Sequence, residues 1–198
     1  MGELDGKVAI VTGAGRLRGI GRAAAVELAR LGADVVVTGT GRDPDTFPPD
    51  EKAVDWKDVE SVAEQIRSHG RRALTFTVDV TNPDHVDNMV EATIQQFGRI
   101  DILINNAAFA RGVDRVPILE LDENIFQKVM DIKVTGTFLC TKAVLKHLVA
   151  QGQGGKIVNI SSTAGKRGSA NTLAYNAANF AIVGMTQSMA RELGHFGI

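Results

Sequence analysis

Thr12-Gly-Ala-Gly-Arg-Leu-Arg-Gly-Ile-Gly21 follows the apolar, β-branched run Lys7-Val-Ala-Ile-Val-Thr12 and precedes an alanine-rich helical pattern from about Ile20 to Leu31. The order strand, turn, helix carries more information than the glycine count. Unpaired N–H groups and the dipole at a helix N-terminus favour a pyrophosphate at such a junction. Gly13 is expected to take a positive-φ turn, Gly19 and Ile20 to bring bare backbone to the phosphates, and Gly21 to allow helix and strand to pack closely. The stretch therefore predicts a dinucleotide site on an α/β domain.

The pattern repeats outward from this turn. Asp34-Val-Val-Val-Thr38, Ala73 to Asp79, Asp101-Ile-Leu-Ile-Asn105 and Lys156-Ile-Val-Asn-Ile-Ser161 read as further buried strands. Val59 to Ser68, a helix opened by Asn82-Pro83 and running to about Phe97, Asp122 to about Val149, and Thr172 to Leu193 read as helices. Strands alternating with helices predict a doubly wound parallel sheet of the Rossmann type, with ligands at the carboxyl ends of the strands. Arg42-Asp-Pro-Asp-Thr-Phe-Pro-Pro-Asp50 holds three of the five prolines and reads as an exposed loop. Gly136 falls inside a helix, where close approach of another backbone is the expected reason for a glycine.

With 198 residues, 44% of them hydrophobic, the chain is expected to form one domain over residues 1–198. A net charge of -1 provides no field for nucleic acid or an anionic membrane, and neither is expected as a partner. The lone Cys140 excludes an internal disulfide framework and reads as a packing residue, and no His/Cys spacing matches a metal site. The start of the chain lacks a signal-peptide pattern, and a reducing cytoplasm is the expected compartment.

Taken in order and spacing, several motifs resemble the classical short-chain dehydrogenase/reductase family: Thr12-Gly13 with Gly19-Ile20-Gly21, Asp79-Val80, Asn105-Asn-Ala107, and Ser162 with Tyr175 thirteen residues later. The resemblance implies that Asp79 and Val80 lie on the adenine side, that Asn105 belongs to the cofactor site, and that the substrate is a small carbonyl or alcohol. It also implies that Ser162 holds the substrate oxygen while Tyr175 exchanges a proton with it, and that the protein is a homodimer or homotetramer. Four departures stand out. The turn is two residues longer between Gly13 and Gly19, Ala108 replaces a glycine, Asn179 replaces the family lysine, and Lys133 replaces the family asparagine.

The last two departures look like an exchange of places. Tyrosine has a pKa of about 10, so proton exchange near neutrality requires nearby positive charge. Asn179 can still hydrogen-bond the nicotinamide ribose, but it carries no charge. Lys133 is expected to direct its ammonium toward Asn179 and partly restore the field; the alternative is a stem that runs out to solvent. At the adenosine end, Gly39 stands where a ribose-binding carboxylate would end the second strand. Arg18 and Arg42 are then candidates to pair a 2′-phosphate, which favours NADP(H), while Asp43 and Asp45 leave NAD(H) open. The expected function is an NAD(P)(H)-dependent oxidoreductase interconverting a secondary alcohol and a ketone. The alternative is a catalytically silent NADP(H)-binding scaffold or regulatory subunit. The family's sixth and seventh strands find no counterpart before Ile198, which reads as truncation and leaves the fifth strand at the sheet edge.

Overall fold

The computed structural model describes residues 2–110 and 112–198. Among them, five strands form one parallel sheet in the order β3-β2-β1-β4-β5. The strands are β1 (Val8–Val11), β2 (Asp34–Gly39), β3 (Ala73–Thr77), β4 (Ile102–Asn105) and β5 (Lys156–Asn159). The helices are α1 (Ile20–Arg30), α2 (Pro49–Lys52), α3 (Val59–Ser68), α4 (Pro83–Phe97), α5 (Glu123–Met130), α6 (Gly136–Gln151) and α7 (Leu173–Leu193). This is the single-domain, doubly wound architecture expected from the alternation. Among the described residues, no helix is long and apolar enough to cross a membrane.

The central strands are apolar throughout because both of their faces are covered. Ala9, Val11, Val35 and Val37 point into one core with Ala25 and Ala29 of α1 and Val62 and Ile66 of α3. The intervening Ile10 and Val36 point into the other, with Met89 and Val90 of α4 and Cys140, Val144 and Leu148 of α6. Cys140 is thus a packing residue, and burial pushes its thiol pKa up to about 12. β5 lies at the sheet edge, half-exposed along its length.

Two expectations are refined. The stretch from Arg42 to Asp50 is mostly exposed, as expected, but it is shaped by its own turns and anchored at Phe47. It contains a 3-10 turn, Pro44–Thr46, enters α2, and buries Phe47, Glu51 and, further on, Trp56 against the outer side of α1. The prolines start helical turns here rather than marking disorder. Glu51 holds this segment to the glycine turn. One of its oxygens accepts the Leu17 N–H at 2.9 Å, and the other takes the Arg42 guanidinium at 2.8 Å. Trp56 Nε1 donates to Gly15 O at 2.6 Å, and Arg42 reaches the same carbonyl at 3.2 Å. The two extra residues of the turn are therefore braced from outside.

The helix expected from Asp122 to Val149 is interrupted by a wide π-type turn, Asp131–Thr135, between α5 and α6. Gly136 directly follows it, and a Cβ there would lie 2.5 Å from Val80 Cγ2. The nearest neighbour is thus a side chain of the segment after β3, with the backbone carbonyl of the same residue 3.4 Å away.

Two stability predictions follow from these contacts. Glu51→Ala should lower the unfolding free energy in urea by about 2–4 kcal/mol, because Arg42 and the Leu17 N–H both lose a buried partner. Glu51→Gln, which keeps an acceptor, should lose distinctly less. For Gly136→Ala, overpacking of about 1–3 kcal/mol outweighs the gain of about 1 kcal/mol in helix propensity. In a double-mutant cycle, Val80→Ala should recover at least about 1 kcal/mol of that loss.

Candidate functional site

β1 and β4 are neighbours, and the chain leaves their carboxyl ends toward opposite faces of the sheet, which opens a crevice between them. The two ends are stitched together. Thr12 Oγ1 accepts the N–H groups of Asn106 and Ala107 at 3.0 and 3.1 Å, and Asn106 Nδ2 donates to the carbonyls of Thr12 and Gly13 at 2.9 and 2.8 Å. Gly13 has φ +64, and a Cβ on it would sit 2.8 Å from Ala107 Cα. Gly21 has no more room, since its Cβ would lie 2.5 Å from Asn106 Nδ2. These two glycines let the turn close onto the residues after β4.

A cleft of about 690 Å³ results, a volume suited to a cofactor. Its walls come from the turn (Gly13, Arg16, Gly19, Ile20), the end of β2 (Thr38, Gly39, Arg42), Asp58, the segment Val78–Val80, and residues 106–110. The N-terminus of α1 opens into it with no side-chain cap and no acidic residue in its first turn, leaving its N–H groups available to an anion. These features fit a dinucleotide. The residues able to hold its pyrophosphate are Gly13, Gly19 and Ile20, and those able to flank its adenine are Asp79 and Val80; Gly21 is buried behind the turn and does not line the cleft.

Three sequence expectations for this cleft change. Asn105 does not line it: its amide nitrogen donates to Thr141 Oγ1 at 3.0 Å and Asn159 Oδ1 at 2.9 Å, tying β4 to α6 and β5 beneath the cleft, and Asn106 takes the lining position. Arg18 is exposed and pairs with Asp50 at 2.8 Å. Arg42 does line the cleft, but its guanidinium pairs with Glu51 at 2.8 Å and Asp58 at 3.1 Å and stacks 4.5 Å from the Phe47 ring centroid. Both arginines are paired with carboxylates, Arg18 on the exposed surface and Arg42 at the cleft wall. Asp43 and Asp45 are exposed and lie outside the cleft lining, with Asp43 capping the 3-10 turn.

Ser162 lies three residues beyond β5, the strand paired with β4, and neither it nor Tyr175 is among the residues lining the cleft. The Ser162 hydroxyl accepts the Ala164 N–H at 3.2 Å, opening a short 3-10 turn. Asn176 holds that turn from α7, donating to Ala164 O at 2.9 Å and Arg167 O at 2.8 Å, a role with no recognisable signal in the sequence. One residue before it on α7, Tyr175 is half-buried, with the Arg115 guanidinium 3.9 Å from its ring centroid. Arg115 in turn pairs with the buried Asp114 at 3.1 Å.

Lys133 lies in the π-type turn, only 6% exposed, and does not run out to solvent. Its ammonium donates to Ile160 O at 2.5 Å, and among the described residues no carboxylate pairs with it. Burial lowers its pKa to about 8. Asn179 is equally buried, and its amide donates to Tyr175 O at 2.8 Å, so the expected direct approach of Lys133 to Asn179 is not the observed contact. Instead, Ser161 Oγ donates to Asn179 O at 3.1 Å. The two exchanged residues thus grip consecutive residues, 160 and 161, immediately before Ser162.

Comparison with known proteins agrees with this geometry. The family described as short chain dehydrogenase matches residues 7–198. The chain is 42% identical over 196 residues to short chain dehydrogenase/reductase astE of Aspergillus oryzae, covering 99% of this chain and 69% of that protein. It is 37% identical over 198 residues to a 3-oxoacyl-(acyl-carrier-protein) reductase of Synechocystis sp., covering 100% and 72%. Carveol dehydrogenase from Mycobacterium avium, solved in complex with NAD, superposes with a TM-score of 0.86 at 32% identity over 99% of this chain and 69% of that one. An NAD+-bound xylitol dehydrogenase gives 0.85 at 32% identity over 99% and 68%. Agreement at this level along nearly the whole sequence means that the chain belongs to the short-chain dehydrogenase/reductase family of NAD(P)-dependent oxidoreductases.

Proposed function

We propose that the chain interconverts a secondary alcohol and a ketone, with Tyr175 as the general acid/base and Ser162 holding the substrate oxygen. The observation that carries this reading is the adjacency of the β4 and β5 ends. It supports the reading because Ser162 follows β5, paired with β4, whose own continuation lines the cleft, and α7, which bears Tyr175, braces the turn that Ser162 opens. A bound nicotinamide dinucleotide would supply or accept the hydride. Ser162 Oγ, fixed by the turn that Asn176 braces, is the donor available to the substrate oxygen. Tyr175 is the chain's only tyrosine, and its hydroxyl would deliver the proton in reduction and remove it in oxidation.

Lys133 supplies, in this reading, the positive charge that position 179 lacks. The charge is held on Ile160 O, two residues from Ser162, within a buried and weakly screened region. It acts as a field on the tyrosine rather than through a hydrogen bond to Asn179. Asn179 donates one amide hydrogen to Tyr175 O, and a ribose hydroxyl would be the partner for the other.

Oxidation of NADH or NADPH across a panel of ketones and aldehydes tests the reading. Tyr175→Phe should reduce turnover by about 10²-fold or more while dinucleotide affinity stays within about twofold. Turnover that survives this change would remove Tyr175 from the proton transfer, and none in the parent despite tight binding would favour a silent binding protein. The pH dependence tests Lys133. The ammonium persists below about pH 8 and is lost above it, so carbonyl reduction should fall as pH rises through about 8, and Lys133→Met should abolish that step. The same ionisation has a stability signature. The unfolded chain holds the proton up to about pH 10.4 and the folded chain only to about 8, so stability should rise with pH across that window, but not in Lys133→Met.

A further inference from the structure

We infer that Asp58, at the start of α3, is the ribose-selecting carboxylate that the end of β2 lacks, and that it makes the cleft selective for NAD(H) over NADP(H). The inference rests on the reading of the cleft as a dinucleotide site. β2 ends at Gly39, so no side chain of its own reads the ribose. A Cβ on Gly39 would lie 3.4 Å from Asp58 Oδ2 and 3.6 Å from Oδ1. The carboxylate of Asp58 therefore stands beside the space that a side chain at position 39 would enter, and it lines the cleft.

The surrounding charges point the same way. Arg42 contributes one positive charge, and Glu51 and Asp58 contribute two negative ones, all on side chains no more than 16% exposed. Both oxygens of Glu51 are engaged, one by Leu17 N–H and the other by Arg42, so its charge is fixed in place. Asp58 Oδ1 takes the Arg42 guanidinium, and Oδ2 receives only a 3.4 Å bond from the Arg42 N–H. A carboxylate has about four lone-pair sites, so Asp58 keeps capacity for ribose hydroxyls. A 2′-phosphate adds a charge of about −1.5 to −2 to a cluster already negative and poorly hydrated. Hydroxyl donors satisfy the free lone pairs, and a phosphate opposes them. Asp58 is set in this position by φ +52, ψ −127, a backbone conformation that few side-chain-bearing residues adopt. Gly15 packs against it so closely that a Cβ there would overlap Asp58 Oδ1.

Direct binding of NADH and NADPH to the full chain, by calorimetry or nicotinamide fluorescence, tests the inference without turnover. NADH should bind at least about 30-fold more tightly than NADPH, and ADP-ribose should show the same advantage over its 2′-phosphorylated form. Asp58→Asn keeps a hydrogen-bonding side chain and frees Arg42, and in the folded variant it should narrow the ratio by at least about tenfold. Equal affinities, or tighter NADPH binding with Arg16 serving the phosphate, would overturn the inference while leaving the dinucleotide site intact. An unchanged ratio in a folded Asp58→Asn would do the same. Binding of neither nucleotide would remove the reading of the cleft itself. If the variant does not fold, the ratio in the parent chain decides.

Discussion

The contact between Gly13 and Ala107 sets the terms for everything above the sheet. Two parallel strands lie side by side, and their continuations must part to opposite faces at once without leaving backbone groups unpaired. Thr12 and Asn106 meet that demand with four hydrogen bonds between strand ends, and the absence of a Cβ at position 13 lets the chains touch. The crevice, the open end of α1 and the wall formed by residues 106–110 all follow from this meeting. A side chain at position 13 would displace the wall before any ligand arrived.

Much of this was legible in the sequence, because it is carried by local patterns. The apolar runs ending in glycine, the Asn82-Pro83 helix start and the order of motifs fix the strands, the crossovers and the glycine turn, with strand ends differing by a residue or two. What escaped detection depends on tertiary partners. Three prolines within nine residues read as an exposed loop, and most of the stretch is exposed, but the burial of Phe47 within it and of Glu51 and Trp56 just beyond it is not visible locally. Arg42 was recognised as a charge near the adenosine end, but nothing in its neighbourhood of sequence announces that Asp58, sixteen residues on, neutralises it. The chain's only tryptophan, so close to a supposed loop, was the available clue.

The exchange of lysine and asparagine is a different case, in which the residues were identified and the contact was not. Sequence spacing puts Asn179 one turn beyond Tyr175, and that geometry holds. The path of the Lys133 side chain depends on a helix irregularity, and its ammonium reaches Ile160 O rather than the asparagine. The result is a division of labour: a charge held on the strand end from one side, and the Ser161 hydroxyl bonded to the Asn179 backbone carbonyl of α7 from the other.

The π-type turn at Asp131–Thr135 constrains how this helix can vary in length. It separates α5, which packs on α7, from α6, which packs on α4 and the sheet. Each residue of a helix turns its face by about 100°. The wide turn takes up one residue more than an ordinary helical turn, so losing one residue between 131 and 135 would leave α5 and α6 in register as continuous helix but would take Lys133 off its path to Ile160 O. The site's cation is therefore tied to the residue count of the helix as much as to its own identity.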